Sequence, residues 1–188
     1  MNTNETVIQY DKDKHYDLFL NFRDKVESEG SIALDRKKVD PLNFDGAIFF
    51  HLIDNNVAAI AAIESSIKYT GESNVARLCR FYILKKYRLN NSGFKLLPYL
   101  VEWGINQKFD LLYWTHDKSN RALNELYQHK RIRSTREKHY YTSDLFLNFK
   151  LCENMTFKTG SKSMDQYVYA YKLNDKFEWN PKGLIEVI

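Results

Sequence analysis

The sequence predicts a mixed α+β fold: a mostly antiparallel sheet with one parallel crossover, flanked by helices. Three observations point there. Residues 47–84 read as three consecutive strands separated by polar turns. An amphipathic segment, 93–108, lies between the last of them and a short apolar strand at 110–115. Strand, helix and strand in that order make a right-handed parallel crossover. Finally, residues 166–173 (QYVYAYKL) alternate strictly and form a closing hairpin with 155–159 around Gly160-Ser161-Lys162.

The first element is a short apolar run, 7–10. Asp11 or Asp13 can cap the helix after it, because a carboxylate accepts from backbone N–H groups that lack helical partners. In that helix Leu18, Phe19, Phe22 and Val26 recur on one face, and Glu29-Gly30 ends it. Residues 31–45 are charged and weakly periodic, a short helix limited by Pro41 or a loop over a site. The strand at 47–53 turns at Asp54-Asn55-Asn56, residue types that tolerate positive φ. It returns as 57–69, and after a turn at 71–74 comes the strand 75–84.

The helix at 93–108 is expected to bury Leu96, Leu97, Leu100, Val101, Trp103 and Ile105, with Pro98 kinking its second turn. After the strand at 110–115, Asp117 or Ser119 caps a helix carrying Leu123, Leu126 and Tyr127 on one face. Residues 131–150 are basic, then apolar, and read as a partly ordered insertion. A single domain over 1–173 is expected, with a tail 174–188 packing on it or on a partner.

Composition narrows the function classes. The chain has 188 residues, 44% hydrophobic and 28% charged, which describes a folded protein with a sizeable core. A net charge of +4 permits an anionic ligand without calling for nucleic acid. Cys79 and Cys152 form no metal or redox spacing, so reduced thiols in the cytoplasm are expected. The N-terminus lacks the apolar run of a secretory signal, and no stretch approaches membrane-spanning length. The five histidines show no metal-ligand spacing, so no metal is expected.

Function concentrates at 85–97, KKYRLNNSGFKLL. A strand enters this stretch, a helix leaves it, and Arg88, Asn90, Asn91, Ser92 and Gly93 lie between. A polar turn at a helix start offers backbone N–H groups and the positive end of the helix dipole, a combination that binds phosphate. The turn therefore reads as the cradle for the diphosphate of a nucleotide-like cofactor. Arg88, with Lys85, Lys86 and Lys95 nearby, makes it the densest cationic turn beside an expected helix start.

The order of elements and two motifs resemble the GCN5-related N-acetyltransferase (GNAT) superfamily over roughly residues 7–173. The first motif is Arg88-Leu89-Asn90-Asn91-Ser92-Gly93, similar to the family's Arg/Gln-x-x-Gly-x-Gly/Ala loop, with Asn91 where the middle Gly stands. The second is Asn120, Leu126 and Tyr127 on the helix after the next strand, with Arg131-Ile132 where the family has Gly-Phe. The resemblance implies acetyl-CoA as co-substrate, held by Arg88, Asn90, Asn91, Ser92, Gly93, Phe94 and Asn120. It implies parallel fourth and fifth strands splayed at their C-terminal ends to admit the pantetheine arm. An irregularity in the fourth strand, expected at Phe81, Tyr82, Ile83 or Leu84, would offer a backbone N–H to the thioester carbonyl. Tyr127 would donate a proton to the leaving sulfur, or serve only as the polar-tipped member of an apolar stripe.

The base stays open between Glu64, the best carboxylate, and an ordered water chain. The ordinary alternative is a Glu64 that is exposed or salt-bridged. Arg80 could bind an acidic substrate group or pair with a carboxylate, and His116 could be catalytic or structural. The function implied is N-acetyl transfer to a primary amine by direct attack in a ternary complex, the acceptor being a small molecule or a protein. A catalytically silent CoA-binding or interaction module is the alternative. Nucleic-acid contact through 131–138 with Tyr140-Tyr141 ranks last. Family members are commonly dimers, and the oligomeric state here is open.

Overall fold

The structure, a computed structural model, describes residues 4–36, 39–65, 74–88, 92–119, 132–133, 140–141, 150–159 and 162–176. The chain divides into two compact units, Met1–Glu64 with Leu78–Trp103, and Ser65–Arg77 with Gly104–Ile188.

The first unit opens with β1 (Glu5–Gln9) and α1 (Lys12–Ser28). Asp11 caps α1 by accepting from the Asp13 N–H at 2.9 Å. A Schellman motif ends it: Gly30 (φ +78°) donates to Glu27 O, and Ser31 donates to Val26 O. β2 (Ala47–Ile53) and β3 (Asn56–Ser65) form a hairpin whose turn, Asp54-Asn55, has φ of +48° and +62°, the mirror-image turn that strand twist favours. Phe19, Phe22 and Val26 of α1 pack with Ile48, Phe50 and Leu52 of β2 and with Ile60 and Ala62 of β3. Burying a side chain such as Phe50 stabilises by roughly 1.5–3 kcal/mol relative to exposing it. Residues 31–36 and 39–45 form turns without a helix. Leu34 and Val39 are buried, and Arg23 of α1 donates to Val39 O at 2.8 Å.

β4 (Val75–Ile83) follows β3 in the strand order β1-β2-β3-β4. The expected helix at 93–108 is instead two pieces. A 3-10 turn, Phe94–Leu96, leads into α2 (Leu97–Asn106). Pro98 therefore causes no second-turn kink. It lies in the first turn of α2, where a backbone N–H has no helical partner and the fixed φ of proline suits the start. Leu96, Leu97, Leu100 and Val101 are buried as expected, whereas Ile105 is 54% exposed and faces away from the core.

In the second unit the order is β4-β5-β9-β8, with β5 (Leu111–Asp117), β8 (Lys150–Thr159) and β9 (Lys162–Lys172). β4 and β5 are parallel, as the crossover requires. Their register runs from Val75–Leu111 to Arg77–Tyr113 and stops, although β4 continues to Ile83 and β5 to Asp117. The closing hairpin is longer than expected, since β8 begins at Lys150. β6 (Ile132–Arg133) and β7 (Tyr140–Tyr141) form a separate antiparallel ribbon within the expected insertion. The Asp110 carboxylate accepts from the Asn74 N–H and the Asn174 side-chain amide. Among the described residues, no helix is long and apolar enough to cross a membrane.

Candidate active site

The fourth strand carries the irregularity one residue before the expected window. Arg80 has φ +53°, a left-handed conformation that costs a non-glycine residue about 1–2 kcal/mol. Such a residue breaks the alternation of a strand. Cys79 and Tyr82, three apart, both pack against the core beside α1, where an even strand would send them to opposite faces. Phe81 and Ile83 instead lie against Gly93. Of the peptide groups expected to meet a thioester carbonyl, that of Leu84 is already engaged, its N–H donating to Ala58 O at 3.0 Å.

The turn after β4 is held from below by α1. The Glu29 carboxylate accepts from the Lys85 N–H at 3.0 and 3.1 Å and from the Tyr82 hydroxyl at 2.9 Å. Lys85 Nζ donates to Glu29 O. Burial, then the hydrogen bond to Glu29, pushes the Tyr82 phenol above its usual range, so it stays a proton donor. Arg88 is exposed and lies back along the chain. Its Nε donates to Ile83 O at 3.2 Å, and its Nη2 donates to the Tyr82 hydroxyl at 3.3 Å. A guanidinium has five N–H donors, so this grip leaves others for an anion.

The cationic cluster is partly spent on the fold. Lys95 pairs with Glu5, and Lys86 stands over the Tyr87 ring at 4.5 Å. Glu5 also meets Nε2 of the buried His51 at 3.2 Å. Lys95 holds the Glu5 carboxyl below its usual range, while burial lowers His51.

Gly93 (φ −68°) needs no glycine-only conformation. A Cβ there would meet Phe81 Cζ at 2.6 Å and Ile83 Cδ1 at 2.7 Å, so the small residue serves packing against β4. Ser92 is fully buried, and its Oγ has no hydrogen-bond partner among the described residues. A buried hydroxyl left unsatisfied costs about 1–3 kcal/mol. A ligand oxygen would remove that cost, so this polar atom fits an anionic group at the turn. Phe94 is buried beside it.

Glu64 is half-buried near the end of β3. It lies six residues beyond Ala58, which bonds Leu84, hence about 20 Å along the strand from the start of the turn. His116, at the end of β5, is buried and stacked on Tyr169 with centroids 5.4 Å apart. Burial, then Tyr167, pushes the Tyr169 phenol up to about 12. His116, Tyr167 and Tyr169 thus form a packed aromatic layer. Asn90, Asn91, Asn120 and Tyr127, with the helix expected after Asp117, lie outside the described residues. So do the side chains of the basic stretch considered for nucleic acid.

Sequence reasoning missed Glu29, seen only as a helix terminus, and the bulge at Arg80. A Gly or Asn at position 80 would have signalled the bulge, but arginine gives no such signal.

A mixed sheet with short parallel pairing between β4 and β5, a bulged β4 and a polar turn leading to a helix define the acetyltransferase architecture. The sequence model of the Acetyltransferase (GNAT) family matches residues 13–131, and the chain belongs to that family. No curated protein matches the chain. Solved structures are similar in fold. The acetyltransferase of GNAT family from Streptococcus pneumoniae has a TM-score of 0.62 at 16% identity, covering 90% of this chain and 100% of that one. YncA from Salmonella typhimurium, solved with its cofactor acetyl-CoA, has a TM-score of 0.62 at 15% identity, covering 95% and 99%. The ribosomal-protein-S18-alanine N-acetyltransferase from Escherichia coli has a TM-score of 0.57 at 14% identity, covering 94% and 100%.

Proposed function

We propose that this chain is an acetyl-CoA-dependent N-acetyltransferase. It transfers an acetyl group to a primary amine by direct attack in a ternary complex, in the cytoplasm. The observation that carries the reading is the turn after β4. There a buried, unsatisfied Ser92 hydroxyl adjoins close-packed Gly93, and Arg88 retains donors for an anion, in a chain of the GNAT family. Bound acetyl-CoA would supply an activated acyl group with a thiolate leaving group.

The chain's residues supply the rest. Arg88 and the backbone of the turn hold the diphosphate. The Arg80 bulge turns a β4 peptide N–H, at Phe81 or Tyr82, toward the thioester carbonyl. As the amine nitrogen bonds the acetyl carbon and the carbon–sulfur bond breaks, Tyr127 gives its phenolic proton to the sulfur. Glu64 takes the proton the amine loses, directly or through water. The acceptor is a small-molecule or protein amine. A homodimer is in keeping with the family.

The silent-module reading is favoured by Asn91, which stands where the family loop has Gly. Calorimetric titration with acetyl-CoA tests binding, and release of free CoA thiol across a panel of amines tests turnover. Micromolar binding with amine-dependent thiol release is the expected result. Binding without release for any amine points to the silent module, and absence of binding refutes both.

A further inference from the structure

We infer that Glu29 is a positioning residue for the cofactor turn, acting through Tyr82 on Arg88. This inference rests on the reading of that turn as the acetyl-CoA diphosphate site. Four observations meet at Glu29. The Schellman motif at Gly30 and Ser31 fixes its backbone at the end of α1, so the side chain starts from a rigid point. Its carboxylate takes the Lys85 N–H, the first amide after β4, at 3.0 and 3.1 Å. It accepts the Tyr82 hydroxyl proton at 2.9 Å, which leaves the phenol oxygen's lone pairs to accept from Arg88 and from the Ser31 side chain. Arg88 Nη2 donates to that oxygen at 3.3 Å, and Tyr82 lies 5.6 Å beneath the guanidinium.

The chain of contacts is therefore carboxylate, phenol, guanidinium. Hydrogen bonds to an ionised acceptor are shorter and stronger than neutral ones. An oriented phenol presents one face to the cation, and its ring attracts the positive charge. Glu29 cannot meet a diphosphate itself, since like charges repel. Its effect is to hold Arg88 at the mouth of the turn so that less side-chain freedom is lost when the anion arrives. A carboxylate that only sealed the end of α1 would have no need of Tyr82.

The test is a double-mutant cycle on acetyl-CoA affinity, read by calorimetry with melting curves as the folding control. Arg88→Ala and Glu29→Ala should each weaken binding about tenfold, and the double variant should be no weaker than Arg88→Ala alone, the coupling expected of contacting residues. Tyr82→Phe keeps the ring and the Lys85 contact but cuts the link, so it should weaken binding several-fold with little change in melting temperature. Glu29→Gln, which keeps an acceptor for Lys85, should fall between wild type and Glu29→Ala. If Glu29→Ala does not fold, Tyr82→Phe in cycle with Arg88→Ala decides the matter. Additive losses, or Tyr82→Phe binding like wild type while Arg88→Ala binds weakly, overturn the positioning role and leave the function standing. Wild-type protein that does not bind acetyl-CoA overturns the function, and this inference with it.

Discussion

Gly93→Ala separates two reasons for a glycine in the turn after β4. The backbone there is right-handed helical (φ −68°, ψ −41°), so alanine brings no strain of its own. Shrinking the entropy of the unfolded chain would even favour alanine by about 0.4–1 kcal/mol. Against this, the new methyl would lie 2.6 Å from Phe81 Cζ and 2.7 Å from Ile83 Cδ1, well inside ordinary contact. Overpacking of this kind costs typically about 1–3 kcal/mol. Phe81 is 38% exposed, so its ring can swing toward solvent, but the contact with Ile83 remains and holds the cost near the middle of that range, about 2 kcal/mol. The net expectation is a loss of about 1 kcal/mol, measured by urea denaturation. Phe81→Leu/Gly93→Ala should recover most of that loss relative to Phe81→Leu alone, because the shorter side chain makes room. Gly93→Val, with two further methyls facing the turn, should also weaken acetyl-CoA binding at least about tenfold, or 1.4 kcal/mol. Gly93→Ala as stable as wild type and additive with Phe81→Leu would refute the packing argument. Unchanged affinity in folded Gly93→Val would refute the cofactor assignment.

Three further outcomes are expected. His51 is held below its ordinary pKa by burial, so the unfolded chain takes up a proton that the folded chain resists. Its contribution is intact above about pH 6.5 and is lost progressively below it. Glu5, lowered chiefly by Lys95, adds stability that is lost only as pH falls further, through its own depressed pKa. His51→Gln should therefore show a flatter melting temperature between pH 7 and pH 5 than wild type, and parallel curves would remove His51 from the account. Tyr127→Phe should lower turnover by about 10²–10⁴-fold with little change in acetyl-CoA affinity; wild-type turnover under chemistry-limited conditions would make Tyr127 a packing residue. Pro98→Ala should change stability by less than about 1 kcal/mol, because a first-turn proline removes no helical hydrogen bond. A loss of about 3 kcal/mol in denaturant melts would contradict that placement.

Local pattern by itself determined the first five elements, β1, α1, β2, β3 and β4, and their order. The nearly continuous apolar run 47–53, the Asp54-Asn55 turn and the spacing of Phe19, Phe22 and Val26 each report a preference of a few adjacent residues. Those preferences survive into the fold because the buried faces agree with them. The polar turn after β4 stands out in the sequence for a similar reason, since small polar residues and a glycine are concentrated in one short stretch. Tertiary structure alone decided how the turn is held. Glu29 is 53 residues from Tyr82 and 56 from Lys85, and no periodicity links a helix terminus to the end of a distant strand. Glu5 and Lys95, 90 residues apart, are likewise joined only by the packing of β1 and the 3-10 turn near β2. The Arg80 bulge was hidden because arginine carries no preference for positive φ, and a cost of about 1–2 kcal/mol is small beside the burial around it. Pro98 shows the converse: its chemistry was plain in the sequence, but its effect depended on whether the α-helix starts at residue 93 or 97.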